Sequence, residues 1–359
     1  MMQFIAYLTR KLSRDFQGEI ISLPTRTILV TAFLALLLLP LFISNTYLLR
    51  VLTLTCIFSI YAASWDLLGG FAGQISFGHA LFFGVAAYTS ALLNLRLGFP
   101  VLVTIPLGAL AAVASGLVLG LPGLRLKGPY FSLASLAFPI IMMGLVFTFK
   151  QLTGGELGIS GITRLAGTRV AEYYLSLMIM LLLVLAMWKI VTSKTGLIFH
   201  AIREDEITVR ASGINTSLYK MLAFIISGLF AGIAGGMYAH FMRVVGPSTL
   251  ELIMSLQIIV FVIFGGIATI YGPVVGVFIL FPLMEYLRVV PEYRMLIFAL
   301  LVILVLRIMP EGLSTWVQDL LEGECPRCKE RNAFTRSGCR ICGTVLDSHT
   351  HLNFLKRGA

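Results

Sequence analysis

Residues 101–121 read VLVTIPLGALAAVASGLVLGL and contain no charged side chain. An α-helix of roughly 20 apolar residues is long enough to cross the hydrocarbon core of a bilayer. The stretch therefore predicts a membrane-spanning helix. Further apolar segments bring the expected number to about ten, and they lie near residues 28–45, 47–68, 74–94, 129–149, 172–192, 221–242, 254–270, 272–288 and 292–308.

The composition of the whole chain agrees with these segments. Hydrophobic residues make up 58% of the sequence and charged residues only 12%, and the mean hydropathy is +0.93. A soluble domain carries about 25% charged residues. We therefore expect an all-α polytopic membrane protein, with some segments re-entrant. The net charge of +10 is attributed to basic cytoplasmic loops and not to nucleic-acid binding.

The distribution of Lys and Arg predicts the orientation. Placing the N-terminus inside assigns Arg10, Lys11, Arg14 and Arg26, the loop after residue 192 and the tail to the cytoplasm. No small-residue cleavage site follows the first apolar run, so it is interpreted as a retained span. An even number of spans returns the C-terminus to the same side. We therefore expect a multi-pass protein of the cell membrane with both termini cytoplasmic.

The tail carries a pattern of cysteines typical of a structural metal site. Two C-x2-C pairs, separated by ten residues, supply the four thiolates of a closed tetrahedral zinc site. The residues around them are mostly polar, so bound metal would supply folding energy that a small apolar core cannot. Disulfides and a single iron ion remain as alternatives. The predicted zinc ligands are Cys325, Cys328, Cys339 and Cys342.

Glycine clusters mark candidate helix breaks. Small residues let helices approach closely, as the pair Gly232 and Gly236 would, and simple tight packing is the alternative for any single glycine. Gly-Gly followed by Gly-Pro over 265–273 is instead typical of an interrupted segment, and broken helices often line a cavity. The candidates for the translocation path or for helix breaks are Gly73, Gln74, Ser76, His79, Gly265, Gly266 and Pro273. For His79 the alternative is a packed, hydrogen-bonded histidine.

The polar insertion 193–220 is the longest one on the inner side. Ile198, Ile202 and Val209 predict the apolar stripe of one short amphipathic helix, from about Ile198 to Ala211. Gly213 is the expected stop of that helix. The charged residues expected on its solvated face are Arg203, Glu204, Asp205, Glu206 and Arg210. The segment is a candidate docking element, and an ordinary solvated connector is the alternative.

The same loop carries a family resemblance. Its run from Ala201 to Glu206, with Gly213, Ile214 and the small residues of 223–239, resembles permease subunits of branched-chain amino acid ABC importers, in particular the larger, LivM-type member of the permease pair. Further matches are residues 69–93, 127–137, 153–158 and 264–276, in the family's order over roughly 45–310. Ala268 departs from the glycine usual there, and the cysteine tail is not a feature of the family.

The resemblance implies a transport subunit and not an enzyme. It implies alternating access driven by two separate ATPase subunits, with a second permease and an extracellular substrate-binding protein as further partners. The substrates would be branched-chain amino acids or related small amino acids and amides, in a prokaryotic cell membrane. Arg203, Glu204, Asp205, Glu206 and Gly213 would form the ATPase-coupling helix. The sequence contains no G-x4-GK[ST] phosphate-binding loop, so ATP is expected on partner chains.

The implied domain organisation has four parts. A cytoplasmic segment covers 1–27, the transmembrane permease domain covers 28–310 with the coupling loop at 193–220, a linker helix covers 311–322, and the zinc-ribbon-like cytoplasmic tail covers 323–359. Two other functions remain open. One is an ion-coupled secondary transporter that uses carboxylates such as Asp66 and Glu251, which are otherwise expected near hydrated membrane edges. The other is a membrane signalling protein with a zinc docking tail.

Overall fold

The computed structural model describes residues 31, 34–40, 45–123, 129–289, 293, 296, 297, 299, 300, 303, 307, 312–324 and 331–333. The chain divides into two compact units, residues 45–313 and residues 1–44 with 314–359. The first unit contains the candidate functional site.

The first unit is built almost entirely from helices. They are α1 (Thr46–Asp66), a π-helical turn (Leu67–Phe71), α2 (Ala80–Leu97), α3 (Val101–Gly123), α4 (Pro129–Ser135), α5 (Ala137–Thr148), α6 (Lys150–Thr153), α7 (Arg169–Val191), α8 (Lys194–Glu204), α9 (Glu206–Ala211), α10 (Thr216–Met242), α11 (Leu252–Gly265) and α12 (Tyr271–Tyr286). Short 3-10 turns occupy Gly155–Leu157, Pro247–Leu250 and Leu287–Val289. Strand β1 (Ile159–Ser160) pairs antiparallel with β2 (Val244–Val245), with Ile159 opposite Val245.

Apolar length identifies the membrane-crossing part. Within the described residues, six helical segments are long and apolar enough to cross a bilayer, and α11 and α12 are shorter apolar helices. The six are Thr46–Phe71, Ala80–Leu97, Val101–Val118, Tyr130–Thr148, Arg169–Val191 and Thr216–Met242. The prediction of an all-α polytopic membrane protein is confirmed. Half of the expected first apolar segment and most of the last one fall on residues outside the described part.

Helix α1 is the centre of the unit. It packs against α7, α10, α11 and α12, and most of its side chains are buried. Helices α2, α3 and α10 form a second closely packed group. A Cβ on Gly232 of α10 would lie 2.7 Å from Ala109 Cα of α3, so only glycine permits this approach. The predicted close packing at Gly232 is confirmed.

Two helix boundaries differ from the predicted segments. The segment expected at 74–94 becomes helical only at Ala80, and the segment expected at 254–270 ends at Gly265. Residues 72–79 leave the helix because other elements satisfy their main chain: Trp65 Nε1 donates to Ser76 O at 2.7 Å, and Ser132 Oγ donates to Ile75 O at 2.6 Å. The interruption predicted between Gly265 and Pro273 is present over residues 266–270.

The second unit is described in part. Residues 34–40 are helical, and α13 spans Leu313–Leu321. Strand β3 (Glu322–Glu324) pairs antiparallel with β4 (Arg331–Ala333), with Glu324 opposite Arg331. All four predicted zinc ligands lie outside the described residues. Two of them, Cys325 and Cys328, fall by sequence in the link between these strands.

Candidate functional site

The segment that follows α7 folds as two short helices and not as the single helix predicted over Ile198–Ala211. Helix α8 ends at Glu204, and α9 begins at Glu206. Asp205 separates them, because its extended backbone lets its side chain cap α9. Asp205 Oδ1 accepts from Ile207 N at 2.8 Å and Thr208 N at 3.2 Å, and Oδ2 accepts from Thr208 Oγ1 at 2.5 Å.

The Asp205 cap has an electrostatic consequence. The hydrogen bond from the Thr208 side chain, followed by those from the main-chain N–H groups, lowers the pKa of Asp205 below its usual value. The carboxylate therefore stays charged at the N-terminus of α9, where a negative charge is favourable.

Gly213 ends α9 as predicted. Its φ of 85° is left-handed, Gly213 N donates to Arg210 O at 3.0 Å, and Ile214 N donates to Val209 O at 3.4 Å. These two bonds form a Schellman motif, which satisfies the last carbonyls of the helix.

Glu206 joins α9 to α10 and is not simply solvated as predicted. Its carboxylate accepts from Arg210 Nη2 at 2.8 Å, from Lys220 Nζ at 2.5 Å and from Thr216 Oγ1 at 3.2 Å. Burial raises the pKa of Glu206, but the hydrogen bond and charge of Lys220, with Thr216 and Arg210, bring the net value below the usual one. Glu204, in contrast, is exposed.

Arg203 ties α8 to the end of α1. Arg203 is exposed, as predicted, and it also donates from Nη1 to the Gly70 carbonyl at 2.7 Å. A Cβ on Gly73 would lie 3.2 Å from Arg203 Cα, so the two backbones approach closely. Next to this contact is a cavity of about 230 Å³, and Gln74, Phe131 and Lys220 are among its lining residues. The α8–α9 segment therefore packs on the π-helical turn and the non-helical segment after it.

Asp66 holds the break between α11 and α12. Its Oδ1 accepts from Ala268 N at 2.7 Å, and its Oδ2 accepts from Thr269 N and Ile270 N at 3.2 Å each. Asp66 is fully buried, so the expectation of a hydrated carboxylate at a membrane edge is wrong. The main-chain N–H groups of a segment about 200 residues away take the place of water.

The break itself has an unusual backbone. Ala268 has a φ of 62° and Ile270 a φ of 50°, a region in which residues with a Cβ are uncommon. The position where the sequence departs from glycine is therefore one where glycine would fit without strain. Gly265 ends α11, Gly266 is the first residue of the break, and Pro273 lies in the first turn of α12, where its missing N–H is tolerated.

Of the residues predicted between α1 and α2, Gln74, Ser76 and His79 are buried, whereas Gly73 is exposed. Gln74 N donates to Leu68 O at 3.0 Å, and Ser76 Oγ accepts from Gly78 N at 3.3 Å. His79 Nε2 lies 3.0 Å from Ser64 Oγ, and its ring stacks on Tyr61 with the centroids 5.4 Å apart. His79 is thus a packed, hydrogen-bonded histidine, which was the alternative to a role in the translocation path.

The structure brings the predicted charged loop and the predicted helix break close to the end of α1. Arg203 of the loop donates a hydrogen bond to the π-helical turn, which shortly precedes Gly73 and Gln74 in the sequence. The break that follows Gly265 is held there because Asp66 accepts a hydrogen bond from Ala268 N. Over the described ranges, no three His, Cys, Asp or Glu residues are grouped so that they could hold a metal ion. The role of Asp66 was missed, and an acidic residue within an apolar span was the signal that could have found it.

Comparison with known proteins identifies a matching family and similar sequences. Residues 47–306 match the family described as branched-chain amino acid transport system / permease component. The chain is 30% identical over 301 residues to the high-affinity branched-chain amino acid transport system permease protein LivM of Escherichia coli (strain K12), covering 76% of this chain and 71% of that protein.

Two other relatives are similar. The LivM protein of the same description from Salmonella typhimurium is 28% identical over 312 residues, which covers 79% of this chain and 73% of the relative. The probable branched-chain amino acid transport permease protein LivH of Methanocaldococcus jannaschii is 25% identical over 156 residues, 41% of this chain and 49% of the relative. No solved structure matches the chain.

Proposed function

The chain belongs to the branched-chain amino acid transport system permease family, and from that premise we propose that it is a membrane subunit of an ATP-driven importer for branched-chain amino acids. It is a transport protein and not an enzyme. The family match over residues 47–306 carries the proposal. The substrate class follows from what the relatives' names describe.

We assign the α8–α9 segment to coupling with the ATPases. Three observations support the assignment. The segment is polar and lies between two apolar helices, α7 and α10. Its second helix, α9, has a side-chain cap at Asp205 and a Schellman motif at Gly213. It is attached to the spans through Arg203 and Glu206. A docked ATPase could therefore move the spans by moving this segment.

The remaining partners complete the proposed assembly. Two ATPase subunits bind from the cytoplasm, a second permease forms the other half of the path, and an extracellular binding protein delivers substrate. The cell membrane is the proposed location, with both termini cytoplasmic. A cysteine placed at Ser212 in an otherwise cysteine-free chain tests the orientation. This cysteine should not react with an impermeant thiol reagent in intact cells. Labelling would mean that the loop faces the outside and that the proposed orientation is wrong.

The proposed function is tested with the complete importer in proteoliposomes. We expect ATP-dependent uptake of leucine and stimulation of ATP hydrolysis by leucine-loaded binding protein. Gly213→Val should leave the chain inserted but remove most uptake, because valine disfavours the left-handed end of α9. Gly161→Val is the matched control, since Gly161 also has a positive φ (89°) with open space around it but lies outside α8 and α9. Absence of leucine uptake by the wild-type importer would refute the function.

We also propose that Cys325, Cys328, Cys339 and Cys342 bind one structural zinc ion. The spacing of the cysteines supports this, as does the antiparallel pairing of β3 with β4 on either side of the first C-x2-C pair. Metal analysis of the purified full chain tests it. About one zinc per chain is expected for a four-thiolate site, and less than about half an equivalent with reduced thiols would contradict the proposal.

A further inference from the structure

The π-helical turn Leu67–Phe71 joins two parts of the molecule that are distant in sequence. On one side the Gly70 carbonyl accepts the 2.7 Å hydrogen bond from Arg203 of α8. On the other side a Cβ on Gly70 would collide with Asp66 Oδ1 and lie 2.8 Å from Ala268 N. Gly70 is therefore the point where α8, the end of α1 and the break 266–270 meet.

The break 266–270 depends on Asp66 for its shape. Ala268 and Ile270 both have a positive φ, and such backbone persists only where surrounding contacts enforce it. Asp66 provides that enforcement with three main-chain hydrogen bonds. Because the carboxylate is fully buried, water cannot easily replace it as the acceptor for these N–H groups. The position of the carboxylate thus sets the position of the break.

We propose that Asp66 is a positioning residue of the transport cycle. It holds the break between α11 and α12 against the π-helical turn, so that a displacement of α8 at Arg203 passes through Gly70 to both helices. The inference rests on the proposed coupling role of α8 and α9, and it extends that role by naming the helices that receive the motion. Single π-helical turns are rare and occur frequently at functional sites, which agrees with this assignment.

The proposal differs from simple packing in one measurable way. Loss of the hydrogen bond from Arg203 to Gly70 should accelerate hydrogen exchange at the amides of residues 268–270. In the described structure Arg203 itself makes no hydrogen bond to these amides. Hydrogen–deuterium exchange of the full chain in lipid nanodiscs measures this directly. The variants are Arg203→Gln, Asp66→Asn and, as the control, Arg210→Gln, which removes an arginine of α9 bonded to Glu206.

We expect Asp66→Asn to accelerate exchange at 268–270 by roughly tenfold or more, because a charged acceptor is lost and an amide NH2 then faces main-chain donors. Arg203→Gln should accelerate the same amides by a smaller factor, and Arg210→Gln should leave them at the wild-type rate. Wild-type exchange in Arg203→Gln, equal acceleration in both arginine variants, or wild-type exchange in Asp66→Asn would overturn the proposal. If the Asp66 variant does not fold, the two arginine variants decide.

This readout is independent of transport. If the wild-type importer does not take up leucine while Arg203→Gln still accelerates exchange at residues 268–270, the proposed function is refuted, but the connection from Arg203 to the break is supported. If uptake occurs but Arg203→Gln does not change this exchange, the function is supported and the connection is refuted.

Discussion

Asp66 and Glu172 are two fully buried carboxylates that are held in different ways. Asp66, at the end of α1, accepts hydrogen bonds from three main-chain N–H groups of one segment. Glu172, in the first turn of α7, accepts from Arg164 Nε at 3.3 Å and Arg169 Nη1 at 3.4 Å. Helix α7, of 23 residues, carries Glu172 in its first turn and leads at its other end into α8.

The difference shows what each carboxylate can control. Arg164 and Arg169 have side chains that are 37% and 42% exposed, so they can turn to water if Glu172 is lost. The N–H groups bound by Asp66 belong to a strained backbone and cannot turn away. Glu172 therefore fastens a loop to a helix, whereas Asp66 determines the geometry of a main-chain segment between two helices.

The largest expected effect is on stability when Asp66 is removed. Asp66→Ala should lower the free energy of unfolding by about 3–5 kcal/mol, because three main-chain N–H groups, one of them buried and two partly buried, lose their acceptor. Thermal unfolding of the purified full chain in detergent measures this. A loss no larger than that caused by an exposed substitution such as Glu204→Ala would contradict the assigned role.

Removing Glu172 should cost less. Glu172→Ala is expected to destabilise by about 1–2 kcal/mol, since its two arginines can be hydrated once unpaired. The same unfolding measurement applies. If Glu172→Ala proved as costly as Asp66→Ala, the distinction between main-chain and side-chain partners would be wrong.

A single arginine partner should matter less still. Arg169→Gln removes the ion pair of Arg169 with Glu172. It also removes the contact of the guanidinium with Phe241, in which Arg169 Cζ lies 5.8 Å from the ring centroid. We expect a loss of at most about 1 kcal/mol, because Arg164 still pairs with Glu172. A loss matching that of Glu172→Ala would show that the two arginines are not interchangeable.

The smallest expected effect is a gain. Ala268→Gly should stabilise the chain by about 0.5–1 kcal/mol, because glycine accepts the positive φ without the cost that alanine bears. Ala171→Gly, at an exposed helical position in α7, is the matched control and should destabilise by about 0.5–1 kcal/mol. Destabilisation in both variants would mean that Ala268 is not strained.

Local sequence features predicted much of the fold. Apolar length predicted the spans, the glycine and proline cluster predicted the break after Gly265, and Gly213 predicted the end of α9. These predictions succeed because each depends on residues close together in the chain. The division at Asp205 was missed, because the apolar stripe over Ile198–Val209 continues across it and only the cap interrupts the helix.

The contacts that define the site could not be predicted in this way. The partners of Asp66 lie about 200 residues away, and its carboxylate gives no indication which N–H groups it will meet. A span was expected to start near residue 74, although Gly73 was named as a candidate helix break. In the structure Gly73 has a φ of 69°, and the main chain of residues 75–77 bonds to the side chains of Trp65, Ser132 and Ser135, which the sequence could not predict. Arg203 is exposed as predicted, but its hydrogen bond to the Gly70 carbonyl was not predicted.

We propose that the α8–α9 segment acts on α11 and α12 through the end of α1. The most direct test is the number of leucine molecules imported per ATP hydrolysed by the reconstituted importer, compared between Asp66→Asn and Glu172→Gln. We expect the ratio to fall several-fold for Asp66→Asn and to stay at the wild-type value for Glu172→Gln, each measured per inserted molecule. An unchanged ratio in Asp66→Asn, or an equal fall in both variants, would contradict it.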